Sequence, residues 1–271
     1  MNFTFGVITA VGEQHSTEWR DRMTATFDSI RRLNIPNYEI IVVGGPFVKD
    51  GRYSYGMHKY KDIVHIPFDE DSLPYNIKRK NLIKWGILPG WVTKKTNLIT
   101  KNAKYDNIVC MHDYIMFDKD WYKGYLRFNK ETNGKWDIAM NKIQNFLGQR
   151  CRDWLTWRHP KYGFRENYPY NETDTKNLYI SGGYWVAKKH IMVKYPLNES
   201  WLWGGFIMTP DGVDKKKLAP VDVDWSQRVI RNNKYKMNQY SICRHTRARF
   251  TGSENFVARP NQYSPTVYDF K

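Results

Sequence analysis

The chain has 271 residues, enough for one large domain with a proper core, and its apolar fraction of 41% is that of a folded protein. Lys and Arg number 43 against 27 acids, a formal charge of +16 that favours a polyanionic partner: nucleic acid, an anionic membrane or a phosphorylated ligand. Three cysteines without CxxC spacing imply neither a disulfide framework nor a structural zinc site, and no run approaches about 18 apolar residues, so a soluble protein of cytoplasmic type with no transmembrane segment is expected. With 11 Trp and 19 Tyr, aromatic rings exceed the usual needs of a core, and some are expected to line a binding surface.

In chain order, Phe3 to Ala10 reads as a buried first strand, and Ser16 to Leu33 as a helix with apolar residues at Trp19, Met23, Phe27, Ile30 and Leu33. Pro36 and Asn37 break that helix. EIIVVGG, Glu39 to Gly45, is a second buried strand ending in a glycine pair that lets backbone approach a ligand closely. DIVHIPFD, Asp62 to Asp69, gives a third strand. Thr93 stands where a helix N-cap would, before KKTNLITKNAKY, after which the chain enters the strongly apolar strand NIVCMHD. Trp136 to Lys142 reads as a further strand, Arg150 to Tyr170 as an aromatic and basic loop-rich stretch, and NLYISGGYWVAKKH as a strand joined to a helix. A helix starting near Asp222 or Asp224 and a last strand near Tyr240 to Cys243 follow.

Strand and helix alternate in the first half, and strand-rich irregular segments fill the second. That asymmetry predicts a single α/β domain with a Rossmann-like nucleotide-binding half, residues 1–118, fused to an acceptor-binding half, residues 119–271, around one mixed central sheet. In open sheets of this class ligands gather at the carboxyl ends of strands, where Thr9, Gly44 and Asp113 fall.

Several clusters have chemistry to offer. In MHDYIMFDKDWY, residues 111 to 122, a carboxylate at the mouth of a buried strand is costly unless paired, and a divalent cation bridging a diphosphate supplies a pairing. His112 and Asp113 are therefore candidates for a metal and diphosphate site, although a strand-end Asp also serves to cap the next turn. Asp118 and Asp120 read as helix-capping acids before Trp121. Lys94 and Lys95, in the first turn after Thr93, oppose the helix dipole, which favours an anionic ligand over a merely solvated basic face. Gly182 and Gly183 in ISGGYWVAKK leave room for a sugar ring against the backbone, or else form a tight turn needing positive φ. Asp222 and Asp224 flank Val223 at a helix start; one faces the pocket as a base while the other caps, or both cap. His245 lies among Arg244, Arg247, Arg249 and Lys236, as a ligand or as a structural histidine.

Together and in this order, these segments resemble inverting GT-A glycosyltransferases of the family-two-like kind over nearly the whole chain. The likeness is carried by EIIVVGG, by TKKTNLITKNAKYDNIVCMHDYI at Thr93 to Ile115, by Gly182 and Gly183, and by LWGG at 202 to 205 followed by VDVDWS at 221 to 226. The resemblance implies a nucleotide-diphosphate sugar donor held by Thr9, Gly44, Gly45, Lys94, Lys95, Asn97, His112, Asp113, Gly182, Gly183 and Arg247. It also implies a divalent cation, Mn or Mg, at Asp113 and His245, and Asp222 as the base that deprotonates the acceptor hydroxyl for in-line attack at the anomeric carbon. Two departures mark this chain. Met111 takes the first position of the DxD pattern, and Val221 replaces the usual acid of the later motif, which stands well apart from LWGG and makes the acceptor site unusual. Lys94, Lys95 and Arg247 are placed to supplement or partly replace metal charge.

The charge also directs the acceptor expectation. It is a hydroxylated base in DNA, as in phage-type DNA modification by a viral protein in a host cytoplasm, with RCRDWLTWRHPKYGFR, residues 150 to 165, as the docking surface for an extruded base. The competing enzyme reading is a transferase building a surface or capsid glycan on a lipid-linked or polysaccharide acceptor, in peripheral contact with an anionic membrane. The non-enzymatic reading is a nucleic-acid-binding module on a degenerate transferase fold.

Overall fold

Eight strands share one mixed sheet in the computed structural model: β1 (Phe3–Ile8), β2 (Tyr38–Gly44), β3 (Ile63–Pro67), β4 (Asn107–His112), β5 (Ile115–Phe117), β6 (Ile138–Asn145), β7 (Tyr184–Lys188) and β8 (Tyr235–His245). The structure describes residues 1–9, 17–44, 48–49, 52–53, 60–68, 91–161, 163–165, 167–171, 174–202, 206–209, 212–214 and 220–246. The spatial order is β3-β2-β1-β4-β7-β6-β8-β5. β3, β2, β1 and β4 run parallel. β7 is antiparallel to both β4 and β6, β8 is parallel to β6, and β5 pairs antiparallel with β8. All of β1 and the last five residues of β2 are buried, so these strands read as unbroken apolar runs and show no alternation.

Only Asp113 and Tyr114 join β4 to β5, yet three strands lie between them in the sheet. Four inter-strand steps come to roughly 19 Å. Three Cα steps span roughly 10 Å. The sheet therefore curls until its far edge returns beside the end of β4, and the two linking residues lie at the seam.

The helices are α1 (Thr17–Arg31), α2 (Val92–Asn102), α3 (Trp121–Glu131), α4 (Lys189–Lys194) and α5 (Val221–Val229). α2 packs on β1 and β2 because Gly6 has no side chain; a Cβ there would collide with Ile99. α3 packs on β8 for the same reason, since a Cβ on Gly124 would run into the Tyr240 carbonyl oxygen. Between helix and sheet, Phe3, Phe5, Phe117, Trp121 and Tyr125 interlock with ring centroids 4.4 to 5.7 Å apart, mostly edge to face or tilted. Much of the aromatic excess thus goes to the core, where Trp121, Trp136, Trp154 and Trp225 are fully buried.

Several boundaries differ from the sequence expectation. α2 begins at Val92 with Trp91 at its N-cap, and the Thr93 hydroxyl donates to the Trp201 carbonyl at 3.3 Å instead of capping. α5 begins at Val221 behind Pro220, so Asp222 and Asp224 occupy its first turn, and Asp224 pairs with Arg228 one turn on at 3.1 Å. Asp120 sits at the N-cap of α3 without a capping bond and pairs with Lys123 at 3.0 Å. β8 is 11 residues long, its apolar pattern broken by a bulge between Asn238 and Ile242. The loop-rich stretch from Arg150 contains strands Leu155–His159 and Gly163–Arg165, which form a small sheet with Leu178–Tyr179. No helix among the described residues is long and apolar enough to cross a membrane.

The backbone oxygen against Gly124 cannot move aside, so Gly124→Ala is expected to cost about 1–3 kcal/mol in urea unfolding. Leu126→Ala, at a site 41% exposed on the same helix, is expected to change stability by less than about 0.5 kcal/mol.

Candidate active site

β1, β2 and β4 end side by side, and their last residues meet. The Thr9 hydroxyl donates to Asp113 Oδ2 at 2.7 Å, and Arg22 Nη2, from α1, reaches the same oxygen at 3.4 Å. Thr26, one turn further along α1, donates its hydroxyl to the Asp113 carbonyl at 3.2 Å. Lys95, from the first turn of α2, donates Nζ to the Thr9 carbonyl at 2.6 Å and lies over the Phe68 ring. Gly44 closes the cluster with φ +155°, where a Cβ would stand 2.8 Å from the Thr9 carbonyl oxygen. Arg22 and Asp113 are almost wholly buried, so the pair is stable only as a pair; removing either partner strands a charge away from water.

Four of the residues expected at the donor site, Thr9, Gly44, Lys95 and Asp113, are thus brought together, and Arg22, which no motif singled out, holds them. Lys94 stays apart, its ammonium 4.7 Å from the Trp91 ring centre. The Asn97 amide is taken up by the Leu197 carbonyl and the Glu199 carboxylate, and its carbonyl by the Leu197 N–H, an arrangement that pins a loop. Gly45, Arg247 and residues 203–205 of LWGG lie outside the described residues.

A cavity of about 340 Å³ opens beyond the end of β4, and His112, Gly182, Gly183, Asp222 and His245 all line it. Asp222 is the only carboxylate on its wall among the described residues. Its Oδ1 accepts the Val223 N–H at 3.1 Å. Burial raises its pKa, and the Arg152 guanidinium and the backbone N–H groups of Val223 and Gly182 oppose the rise. Gly182 is glycine because the Asp222 carboxylate leans on it, with Oδ2 3.1 Å from where a Cβ would be. Gly183 similarly accommodates the Tyr114 hydroxyl at 3.3 Å. Neither adopts positive φ, so close approach explains the pair, and a left-handed turn does not.

Among the described residues Asp113 and His245 are not grouped into a cation site. Asp113 is absent from the cavity wall, and its Oδ2 is taken by Thr9 and Arg22. The Tyr114 ring stacks on His112 at 5.0 Å and packs against His245 at 4.4 Å, so an aromatic ring occupies the space beside both imidazoles. Among the described residues no group of three or more His, Cys, Asp or Glu side chains is placed to hold a metal ion.

In the segment expected as a docking surface, Cys151, Arg152 and Trp157 line the cavity. Cys151, Asp153, Trp154, Leu155 and Thr156 are buried. Asp153 accepts from Arg150 Nε at 2.7 Å, from the Ile143 N–H at 3.3 Å and from the Tyr170 hydroxyl, and burial still raises its pKa. So anchored, the segment turns Arg152 and Trp157 toward the cavity. Arg152 has φ +48°, a conformation that costs energy in a residue with a side chain, and its N–H is held by Asn167 Oδ1 at 3.1 Å. The side chains of residue 158 and residues 162–166 lie outside the described set.

No protein-family model matches the sequence, and no curated protein matches it significantly. Solved structures do. The Staphylococcus aureus glycosyltransferase TarS, residues 1–349, aligns over 89% of this chain and 60% of its own, with TM-score 0.50 and 12% identity. Its complex with UDP aligns over 90% and 60% with TM-score 0.51 and 13% identity, and its complex with UDP-GlcNAc over 95% and 62% with TM-score 0.50 and 12% identity. The architecture is therefore the GT-A-type α/β fold. The chain spans about three-fifths of the length of these TarS chains.

Because Asp222 has a native pKa above its unfolded value, the folded state holds the proton more tightly, and stability falls as pH rises through that native pKa. Asp222→Asn is therefore expected to melt above the parent protein at neutral pH. Melting curves across pH should show the gap closing as pH falls to about 3.9, the ordinary carboxyl value.

Proposed function

We propose that the chain transfers a sugar from a nucleoside-diphosphate sugar to a hydroxyl acceptor with inversion, using Asp222 as the base. The observation that carries this reading is Asp222, the one cavity carboxylate among the described residues, packed against Gly182 at the start of α5 and shifted toward a higher pKa by burial. A base with a raised pKa takes a hydroxyl proton more readily in the transition state. The fold adds support, because in TarS the same architecture holds UDP and UDP-GlcNAc. The donor diphosphate belongs near the ends of the parallel strands, beside the cationic cluster of Arg22 and Lys95 and above the glycine pair.

The step balances simply. The acceptor oxygen forms a bond to the anomeric carbon on the face opposite the diphosphate, while its proton passes to an Asp222 carboxylate oxygen. The bond from the anomeric carbon to the diphosphate oxygen breaks, and its electron pair leaves with the nucleoside diphosphate. Burial of the wall keeps competing water from the anomeric carbon.

Of the acceptors considered, a glycan is favoured over DNA. Trp157, Tyr179 and Trp185 are among the residues that line the cavity, an aromatic wall suited to the apolar faces of sugars. Residues 151 and 153–156, which a DNA acceptor would need at the surface, are buried.

Asp222→Asn is expected to lower turnover by roughly 10²- to 10⁴-fold while UDP affinity stays unchanged. The measurement is release of UDP from UDP-sugars in the presence of glycan acceptors, beside calorimetric binding of UDP. Full turnover by the variant would remove Asp222 from the mechanism. A protein that binds duplex DNA yet neither binds UDP nor turns over any donor would establish the nucleic-acid-binding reading in its place.

A further inference from the structure

The cation implied by the fold family and the geometry at Asp113 disagree, and the disagreement carries an inference that rests on the transferase reading. We propose that this chain holds its donor diphosphate without a divalent cation, and that the Arg22 guanidinium occupies the place of metal charge beside Asp113.

The geometry is specific. Arg22 and Asp113 meet at 3.4 Å with side chains 2% and 4% exposed, and Thr9 takes the same carboxylate oxygen at 2.7 Å. α1 is tied to the site a second time through Thr26 and the Asp113 carbonyl. A dication approaching this carboxylate would have to expel a buried guanidinium of like charge, and the expelled group would remain within the core. Among the described residues no group of three or more His, Cys, Asp or Glu side chains is placed there to hold an ion. Met111 is buried in β4, paired with Val7 on one side and Tyr184 on the other, so the first DxD position points no oxygen at the site. His112 and His245 are both engaged with the Tyr114 ring.

The described residues set a charge pattern at the ends of the parallel strands, with Arg22 beside the Asp113 carboxylate and Lys95 on the Thr9 carbonyl. Such a pattern is fixed by hydrogen bonds from Arg22 to Asp113 and from Lys95 to Thr9. It is oriented before the donor arrives, so it meets the charge growing on the departing diphosphate without reorganisation. A bound metal would add more charge but would have to be captured from solution, whereas the arginine is present in every folded molecule.

The test uses the full chain and UDP. Calorimetric titration with UDP in excess EDTA and in millimolar manganese should give dissociation constants within about threefold of each other, under 1 kcal/mol by the affinity relation. Manganese alone, followed by electron paramagnetic resonance, should show no saturable binding. A loss of UDP affinity of about tenfold or more in EDTA would overturn the proposal, as would stoichiometric manganese binding. The double variant Arg22→Gln/Asp113→Asn keeps neutral hydrogen-bonding groups and the same net charge. It removes the guanidinium that stands for metal charge, so UDP affinity in EDTA should fall about tenfold or more while the circular dichroism of the parent is kept, and a folded variant that binds UDP in EDTA as the parent does would overturn the proposal. Absence of UDP binding under every condition would sink the donor reading itself. The manganese titration would then decide the charge question alone.

Discussion

Asp113 and Arg22 meet where β1 and β4 end, and most of what positions the site follows from that buried pair. The carboxylate stands at the two-residue link between β4 and β5, so its partners fix the curl of the sheet as well as the position of α1. Thr9 binds it from the end of β1, Lys95 binds Thr9 from α2, and Gly44 leaves room for Thr9 from β2. A charged pair in a dry setting is held by the certainty that either member alone would be intolerable. Its value here is less total stability than the exact relation of three strand ends and two helices.

The cavity beyond β4 is arranged by a second contact of the same kind, between a small residue and a carboxylate. Gly182 permits Asp222 to lie against backbone, and the first turn of α5 supplies the Val223 N–H. The two contacts divide the charge of the site. The buried cluster sets Arg22 against the Asp113 carboxylate, and among the described residues the cavity has one carboxylate, Asp222, whose ionisation burial resists. On the proposed reaction, groups of opposite tendency are thus separated along the path from a departing diphosphate to an attacking hydroxyl.

The sequence reads well where one type of residue has one physical reason to be there. β1, β2 and β4 are apolar because they are buried on both faces, and their boundaries emerge within a residue or two. Gly182, Gly183 and Asp222 were legible as a group, since a glycine pair and a helix-start acid have few joint uses. Arg22 was hidden because a cation on an amphipathic helix looks like a solvated one; only the position of Asp113, 91 residues away, gives it a buried partner. Arg152 was hidden because left-handed backbone in an arginine has no local signature. Asn97, in a segment that resembles a donor motif, went instead to a loop clamp, which depends on Leu197 and Glu199 a hundred residues on. The stretch after Arg150 looked like a basic surface because its acid, Asp153, is outnumbered in sequence, yet one buried acid is enough to turn the segment inward.

The curl of the sheet bears on how the molecule is made. β5 leaves the ribosome directly after β4, but its partner in the sheet is β8, more than a hundred residues later in the chain. β6 likewise awaits β8 across the whole small sheet and α5. During synthesis, the parallel quartet can form early while β5 presents an unpaired edge, and the cavity has no far wall until Tyr235–His245 arrives. Pairings this distant in sequence close slowly and leave strand edges open to other chains in the meantime. A nascent chain therefore has its charge cluster long before it has its cavity, and a molecule halted short of β8 would be partly folded, with the cavity lacking one wall.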